Sequence, residues 1–489
     1  MSLDRNVLTD EQAIAASHPR SIYLEAHPGS GKTTVAARRF GVQRHDPASW
    51  RDPRAVMATS FTRSATRELR ARVIRFWGSS ALAFPHRIAT IDTLVCDLVH
   101  YLLRCDTLTW PANHRVLDVR DTWSSVHKLD YTEAAPALRV HDGRVTITSY
   151  RSQERKNRVR HADFTMSVLA GVCTHDDVRD VLGRALTDPT IANAVGNRLA
   201  STMRAFIVDE VFDGNALDLN LIMLAARAGV EVTLIGDPWQ ALYGFRGARP
   251  ELIPELIDRL ALPTFPLSES FRWRTEPQSD LATELRERRP VVLPVGDLEH
   301  VDVVLSREWK PLWEAKAHFL PFAFSGAKGT LPEAAATLAL SRLLELTFGV
   351  PAVDIADARA LIGLGDDDDL GPELDDVLEV LGSDEEEAAK AAYAKLASAI
   401  AEHTDGVLPP VHWQYTKRLL WLRSRLRADR PLVPAMTAHQ AKGREWPIVG
   451  VHLMESDEET LANGLDPQNE RHRQLYVACT RARDRTVSV

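Results

Sequence analysis

Short apolar runs recur along this chain, each followed by a polar or glycine-rich turn and then by apolar residues at helical spacing. Ser21-Ile22-Tyr23-Leu24 is the first, and Ala55 to Thr59, HRIATIDTLV, Ala205-Phe206-Ile207-Val208 and Val232 to Ile235 repeat it. The runs read as buried strands, and their alternation with helix-compatible stretches predicts an open α/β sheet. Val301 to Leu305 and Leu320 to Phe324 predict strands of a second such domain. Residues 105 to 200 break the rhythm. They hold no clear βα units, a turn-like HDGR at 141 to 144 and the charged RSQERKNRVRH at 151 to 161, and read as an inserted subdomain whose basic run either touches nucleic acid or is solvated. From 330 to 430 the pattern is helical again, with ATLALSRLLELTF and EEEAAKAAYAKLASAIAEH, in which Glu386 and Lys390 stand at helical spacing.

At 489 residues and 45% hydrophobic, the chain is long enough for three or four units with ample core. No apolar run approaches a membrane span, and MSLDRNVLTDEQ lacks the basic-then-apolar order of a signal peptide, so a cytoplasmic location is expected. Cys96, Cys105, Cys173 and Cys479 form no C-x-x-C pair and are expected to be reduced thiols. The net charge of -8 is uneven. Residues 366 to 387 carry 12 carboxylates and no Lys or Arg, which leaves the remainder at +4 and permits a basic face. That acidic run reads as a solvated, disordered loop, with DNA mimicry or docking of a basic partner as alternatives.

The chemistry concentrates after the first strand. In EAHPGSGKTT (25 to 34), Gly29 and Gly31 let backbone N–H groups converge on phosphate oxygens, Lys32 supplies a point charge and Thr33 offers a hydroxyl to Mg²⁺. Ala26 stands where the G-x-x-x-x-G-K-[ST] pattern has its first Gly. Asp209-Glu210, at the end of a buried strand, is the acidic pair that Mg-nucleotide hydrolysis needs, one carboxylate for the hydrated metal and one for the attacking water. In GDPWQALYGFRGA (236 to 248), Gln240 is placed to sense a γ-phosphate, while Trp239, Tyr243 and Phe245 offer stacking surfaces for a base or pack their own loop. Thr62, Arg63 and Ser64, and again Thr90 to Thr93, lie where a strand ends and a helix starts; they suit a phosphate backbone, and ordinary helix capping uses the same residues. Gln12 carries the paired donor and acceptor that could read an adenine edge, with a solvated side chain as the alternative.

By this point the order of motifs resembles the UvrD/Rep/PcrA group of superfamily 1 helicases, which move 3′ to 5′ on single-stranded DNA. LTDEQ looks like the Q motif, AHPGSGKTT motif I, SFTRSATREL motif Ia, IATIDTL motif Ib, VDEVFDGN motif II and IGDPWQALYGFRGA motif III. LSESFRW is similar to motif IV, MTAHQAKGREWPIV to motif V and NERHRQLYVACTRAR to motif VI. The resemblance implies two RecA-like P-loop domains with parallel sheets plus two small, mainly helical inserted subdomains. Their implied extents are 1–104 and 201–262 (1A), 105–200 (1B), 263–329 and 431–489 (2A), and 330–430 (a reduced 2B).

It also implies roles. ATP and Mg²⁺ are the expected cofactors, held by Gly29, Ser30, Gly31, Lys32, Thr33, Thr34 and Glu445, with Gln12 on the adenine and Phe271 stacked against it. Thr33 and Asp209 are the expected metal ligands. Glu210 acts on the water, and Gln240, Arg272 and Arg481 surround the γ-phosphate, the two arginines coming from the second α/β domain. Thr62, Arg63, Thr90, Tyr243, Phe245, Thr437 and His439 match positions that face DNA. Single-stranded or tailed DNA is the expected partner.

Several positions depart from the family pattern. Phe212 replaces the Gln of DExQD, Arg63-Ser64 stand where Asn-Lys is common, Arg444 where Leu is usual, and SFRW replaces NYRS. Motif IV to motif V is short, and the chain stops one strand after motif VI, so neither a C-terminal tail nor a fused nuclease is expected. This compact layout is also similar to the helicase subunit of Gabija antiphage systems, which works with a separate nuclease. A DNA-binding regulatory ATPase that controls a nuclease is therefore the rival to a helicase; a P-loop kinase or GTPase leaves motifs III to VI unexplained.

Overall fold

A computed structural model describes residues 8–127, 129–315, 318–324, 330–365, 368–404 and 408–489. The chain divides into two compact units, Met1–Arg272 and Trp273–Val489.

The first unit is built on six parallel strands, in the order Thr264–Leu267, Ile22–Ala26, Glu231–Gly236, Met203–Val208, Ala55–Ser60 and Arg87–Thr90. The central strands Met203–Val208 and Ala55–Ser60 are buried at every position, which is why their sequences run apolar without alternation. Helices Lys32–Arg44 and Arg63–Trp77 cover one face, with Phe40, Leu69 and Val73 fully buried. Helix Ile91–Arg104 covers the other, burying Leu94, Val95, Leu98 and Leu102 at i, i+3, i+4 spacing.

One charged side chain ties the nucleotide-loop helix to its surroundings. Arg39, fully buried, donates from Nε to Thr233 Oγ1 at 2.7 Å and from Nη1 to Ala15 O at 3.0 Å, and also reaches the carbonyls of His18 and Arg20. Burial lowers its pKa to about 10, with Glu231 opposing, so it stays charged at neutral pH and holds helix Asp10–Ser17 against the sheet.

The strand Thr264–Leu267 corrects the expected boundary at 263. It pairs in parallel with Ile22–Ala26, in the register Tyr23 to Thr264 through Ala26 to Leu267, and so belongs to the first sheet. The first unit accordingly runs on to Arg272.

The inserted stretch 105–200 holds helices His161–Leu169, His175–Ala185 and Pro189–Thr202, and adds a long antiparallel hairpin, Asp130–His141 with Arg144–Arg158. Its turn is the expected HDGR: Asp142 (φ 47°) and Gly143 (φ 68°) are both left-handed, the requirement of a two-residue hairpin turn. The mainly helical expectation missed the hairpin because the basic stretch from Tyr150 to Arg158 is almost wholly polar and shows no period-2 alternation. Arg179 fastens this insertion to the sheet unit through Asp92 at 2.5 Å and buried Asp218 at 2.6 Å.

In the second unit five parallel strands run Phe319–Pro321, Val433–Thr437, Val303–Ser306, Trp446–Val451 and Ala482–Ser488. The stretch 330–430 is helical, as expected, with helices Leu331–Phe348, Ile355–Ile362, Gly371–Gly382, Ala388–His403 and Trp413–Leu426. The acidic run is not a loop from Gly371 to Gly382: Leu374, Val377, Leu378 and Leu381 are buried there, and its carboxylates find cations, Asp375 with Arg342 (2.7 Å) and Asp376 with Lys395 (3.0 Å). Asp366 and Asp367 lie outside the described residues. Lys390 pairs with Glu387 rather than with Glu386.

Candidate nucleotide site

The phosphate loop follows the buried strand Ile22–Ala26 and ends at helix Lys32–Arg44, whose N-cap is Gly31. Gly29 (φ 74°) and Gly31 (φ 82°) occupy left-handed backbone, and both are closely approached. A Cβ on Gly29 would stand 2.6 Å from Arg272 Cβ, and one on Gly31 2.7 Å from Gln12 Nε2. Ala26 is fully buried in the sheet. The Thr34 hydroxyl accepts from Arg72 at 2.8 Å, so it serves the packing of helix Arg63–Trp77 on the loop helix.

Across the loop stands the acidic pair. Asp209 is buried at the end of Met203–Val208, with its N–H on Thr59 O at 2.9 Å. Glu210 follows in left-handed conformation (φ 59°), its N–H on Asp209 Oδ1 at 3.0 Å, and its Oε1 stands 3.7 Å from Lys32 Nζ. Burial first, then the neighbouring Glu210 charge, raises the Asp209 pKa, and Lys32 opposes the shift. A hard, oxygen-preferring ion suits Asp209 and the Thr33 hydroxyl. Among the described residues no three His, Cys, Asp or Glu side chains converge, so Mg²⁺ here would draw its other ligands from phosphate and water.

Gln240 is buried in the short turn Pro238–Gln240, and its Nε2 donates to Asp237 Oδ2 at 2.7 Å. Asp237 Oδ1 accepts from Trp239 N at 3.1 Å, so this buried carboxylate sets the amide's orientation. Sequence reading missed Asp237, although an Asx residue capping PWQ was the available signal. Phe212 lies against Gly236, where a Cβ would meet its ring at 2.6 Å, and edge-on to Tyr23 at 6.5 Å. The departure from DExQD is thus an apolar contact that the glycine admits. Trp239 is buried and belongs to the core.

Gln12, the expected adenine contact, is engaged with the chain itself. It is buried, Nε2 donates to Ser30 O at 2.9 Å and Oε1 accepts from Thr9 N at 3.2 Å, completing a capping box; its paired donor and acceptor are both turned onto the chain. Phe271 has 49% of its surface exposed, as a stacking ring requires, and its N–H donates to Gly29 O at 3.0 Å. Arg272 sits beside Gly29, partly exposed.

Beyond the carboxyl ends of other strands of the same sheet lie the expected DNA contacts of this unit. Phe245 is 66% exposed, Tyr243 stands 6.0 Å from it, and Arg246 lies over both rings at 5.2 and 5.5 Å. Thr62 and Thr90 cap their helices, accepting from Ala65 N at 3.1 Å and Thr93 N at 3.4 Å, and Arg63 pairs with Asp121 at 2.5 Å.

In the second unit, Thr437 ends a strand, buried, with its hydroxyl on Gln440 Oε1 at 3.0 Å. His439 is half-buried in the next turn and Glu445 is exposed. Arg481 is fully buried, with Nε on Val477 O at 3.1 Å, and thus presents no open guanidinium at the surface.

A glycine loop on a parallel sheet, a lysine, and an Asp-Glu pair at the end of another strand of that sheet, one strand removed, define a P-loop nucleotide-binding protein. The UvrD/REP helicase N-terminal domain matches residues 8–162 and 142–261, and the UvrD-like helicase C-terminal domain matches 432–487. The chain belongs to the UvrD/REP helicase family. It is 28% identical over 298 residues to DNA helicase II of Salmonella typhimurium, covering 54% of this chain and 38% of that one. It is 26% identical over 272 residues to the ATP-dependent DNA helicase Rep of Escherichia coli (50% and 38%), and 21% identical over 263 residues to the ATP-dependent DNA helicase PcrA of Staphylococcus epidermidis (50% and 35%). The chain thus spans well under half the length of these relatives. Among the described residues no helix is long and apolar enough to cross a membrane.

Proposed function

We propose that this protein is an ATP-driven, Mg²⁺-dependent translocase on single-stranded DNA and a 3′ to 5′ helicase, acting in the cytoplasm in DNA repair or antiphage defence. The observation that carries the reading is the sharing of one sheet edge by two kinds of site. Lys32, Asp209 and Glu210 form a nucleotide-hydrolysis constellation there, and the cluster of half-buried Tyr243 with exposed Phe245 and Arg246 lies in the loop that begins with Gln240. In this reading Lys32 neutralises phosphate charge, and Glu210 orients the attacking water and takes its proton. Gln240, locked by Asp237, senses the terminal phosphate, and Phe245 stacks on a base. Thr33 and Asp209 would hold Mg²⁺, which supplies charge neutralisation on the phosphates when bound. Arg272 and Arg481 are assigned the γ-phosphate role that the family pattern gives these positions.

ATP turnover measured with and without oligothymidylate, beside strand displacement on a 3′-tailed duplex, tests the proposal. DNA-stimulated turnover with displacement is expected. Absence of DNA stimulation would overturn it.

Phe212 favours a second reading. Because an apolar ring replaces the amide that joins motif II to its neighbours, hydrolysis can serve as a slow sensor in a DNA-binding regulatory subunit that governs a separate nuclease. Turnover without displacement, with co-purification of a nuclease, is the outcome that selects it.

A further inference from the structure

Three consecutive carbonyls of the phosphate loop are held from outside. Pro28 O accepts from Ser270 Oγ at 2.7 Å, Gly29 O from Phe271 N at 3.0 Å, and Ser30 O from Gln12 Nε2 at 2.9 Å. A trans peptide is planar and carries its C=O and N–H on opposite sides. Fixing Pro28 O and Ser30 O outward therefore turns the N–H groups of Gly29 and Gly31 the other way, into the concavity that must receive phosphate. The peptide between them has its N–H, that of Ser30, closing a turn onto His27 O at 3.2 Å.

We infer that Ser270 is a positioning residue for the nucleotide site: its hydroxyl keeps the phosphate loop in the binding conformation and, through the same oxygen, sets Arg272. The hydroxyl donates to the loop and accepts from Arg272 N at 3.3 Å, so loop and arginine share one anchor. The approach is close, since a Cβ on Gly29 would lie 2.8 Å from Ser270 Oγ. The preceding turn is itself clamped: Glu11 accepts from Ser268 N at 2.8 Å and from its hydroxyl at 2.7 Å. The segment 268–272 is thus a brace laid along the loop, and Ser270 donates its side-chain hydrogen bond to a loop carbonyl. A preformed nest spares the bound state the ordering of those peptides, so the brace contributes to phosphate affinity without touching phosphate.

This inference rests on the reading of the loop as an ATP site. Ser270→Ala and Ser270→Thr are compared with the unaltered full-length chain for binding of ATP, inorganic tripolyphosphate and adenosine. Ser270→Ala is expected to weaken ATP and tripolyphosphate by the same factor, roughly 2- to 10-fold for one neutral hydrogen bond, to leave adenosine unchanged, and to shift the thermal midpoint of the nucleotide-free protein little. Ser270→Thr, which keeps the hydroxyl, is expected to restore both affinities. Unchanged tripolyphosphate affinity in Ser270→Ala, an equal loss for adenosine, or a threonine variant as weak as alanine would overturn the inference. If the unaltered chain binds neither ATP nor tripolyphosphate, the reading of the site itself fails.

Discussion

Lys32 Nζ stands 3.7 Å from Glu210 Oε1, a contact that Glu210 makes from left-handed backbone at the end of a fully buried strand. The strain of that conformation for a non-glycine residue, together with Asp209 buried behind it, is consistent with the proposed role of Glu210 in hydrolysis. The two partners have separable duties. Lys32→Ala removes ground-state charge neutralisation and is expected to abolish both nucleotide binding and turnover. Glu210→Gln removes the group that acts on water and relieves the like-charge repulsion on Asp209, so it is expected to bind ATP with near-normal affinity while turnover falls by about 10² or more. Equilibrium binding of a fluorescent ATP analogue beside steady-state hydrolysis separates them; equal loss of affinity in both variants would contradict the assignment.

Arg272 and Arg481 are given one role by the family pattern but are held differently, Arg272 partly exposed beside Gly29 and Arg481 fully buried. An arginine that meets charge developing on a transferring phosphoryl group is worth about 10³ or more in rate. Either Arg→Ala change is therefore expected to lower kcat far more than it weakens ADP binding. A variant with near-normal kcat removes that residue from the active site. Should Arg481→Ala instead lower the thermal midpoint with kcat per folded molecule unchanged, its burial is the whole of its function.

How much of this was readable beforehand depended on whether a residue's partner was local. The loop glycines, Lys32 and the Asp209-Glu210 pair were legible because their chemistry follows from a strand, a turn and a helix adjacent in sequence. Ser270 and Glu11 were not, since their partners Pro28 and Ser268 lie 242 and 257 positions away and no spacing rule links them. Gln12 was singled out from its amide chemistry, but its orientation onto Ser30 depends on a buried environment that the sequence does not display. The hairpin escaped because the stretch from Tyr150 to Arg158 in its second strand is almost wholly polar. The acidic run misled for the opposite reason: twelve carboxylates obscured the apolar Leu374, Val377, Leu378 and Leu381 spacing that makes residues 371–382 a helix.

His86 supplies a pH dependence. It is buried, its Nδ1 accepts from Val56 N at 2.9 Å, and burial, with Arg44, Arg204 and His45 nearby, lowers its pKa to about 4 from the usual 6.5. The folded state thus holds a neutral ring that the unfolded chain protonates below about 6.5. The linked stability is complete above that pH and is lost as pH falls toward 4, by at most about 3 kcal/mol. His86→Asn keeps an acceptor for Val56 N–H and cannot titrate. Its thermal midpoint is expected to fall less than that of the unaltered protein between pH 7.5 and pH 5, and identical pH profiles would exclude His86 as the source.

Phe245 is the residue through which hydrolysis would become movement. Two-thirds of its ring surface is exposed, five positions after the buried sensor Gln240, and Arg246 lies over the ring at 5.5 Å. An apolar ring kept in water beside an arginine is poorly explained by packing but suits a platform for a base, whose phosphate the guanidinium would meet. Because Gln240 is fixed by Asp237 within the same loop, a change at the terminal phosphate has a short covalent path to the ring. Phe245→Ala removes the exposed stacking face. Basal ATP turnover is therefore expected to persist, single-strand affinity to weaken by about 1 to 3 kcal/mol, and translocation along oligothymidylate to be largely lost. Phe245→Trp, which keeps a flat ring, is expected to recover affinity. Normal translocation by Phe245→Ala would move the stacking role to Tyr243, and a lowered thermal midpoint would make the ring part of the loop's own packing.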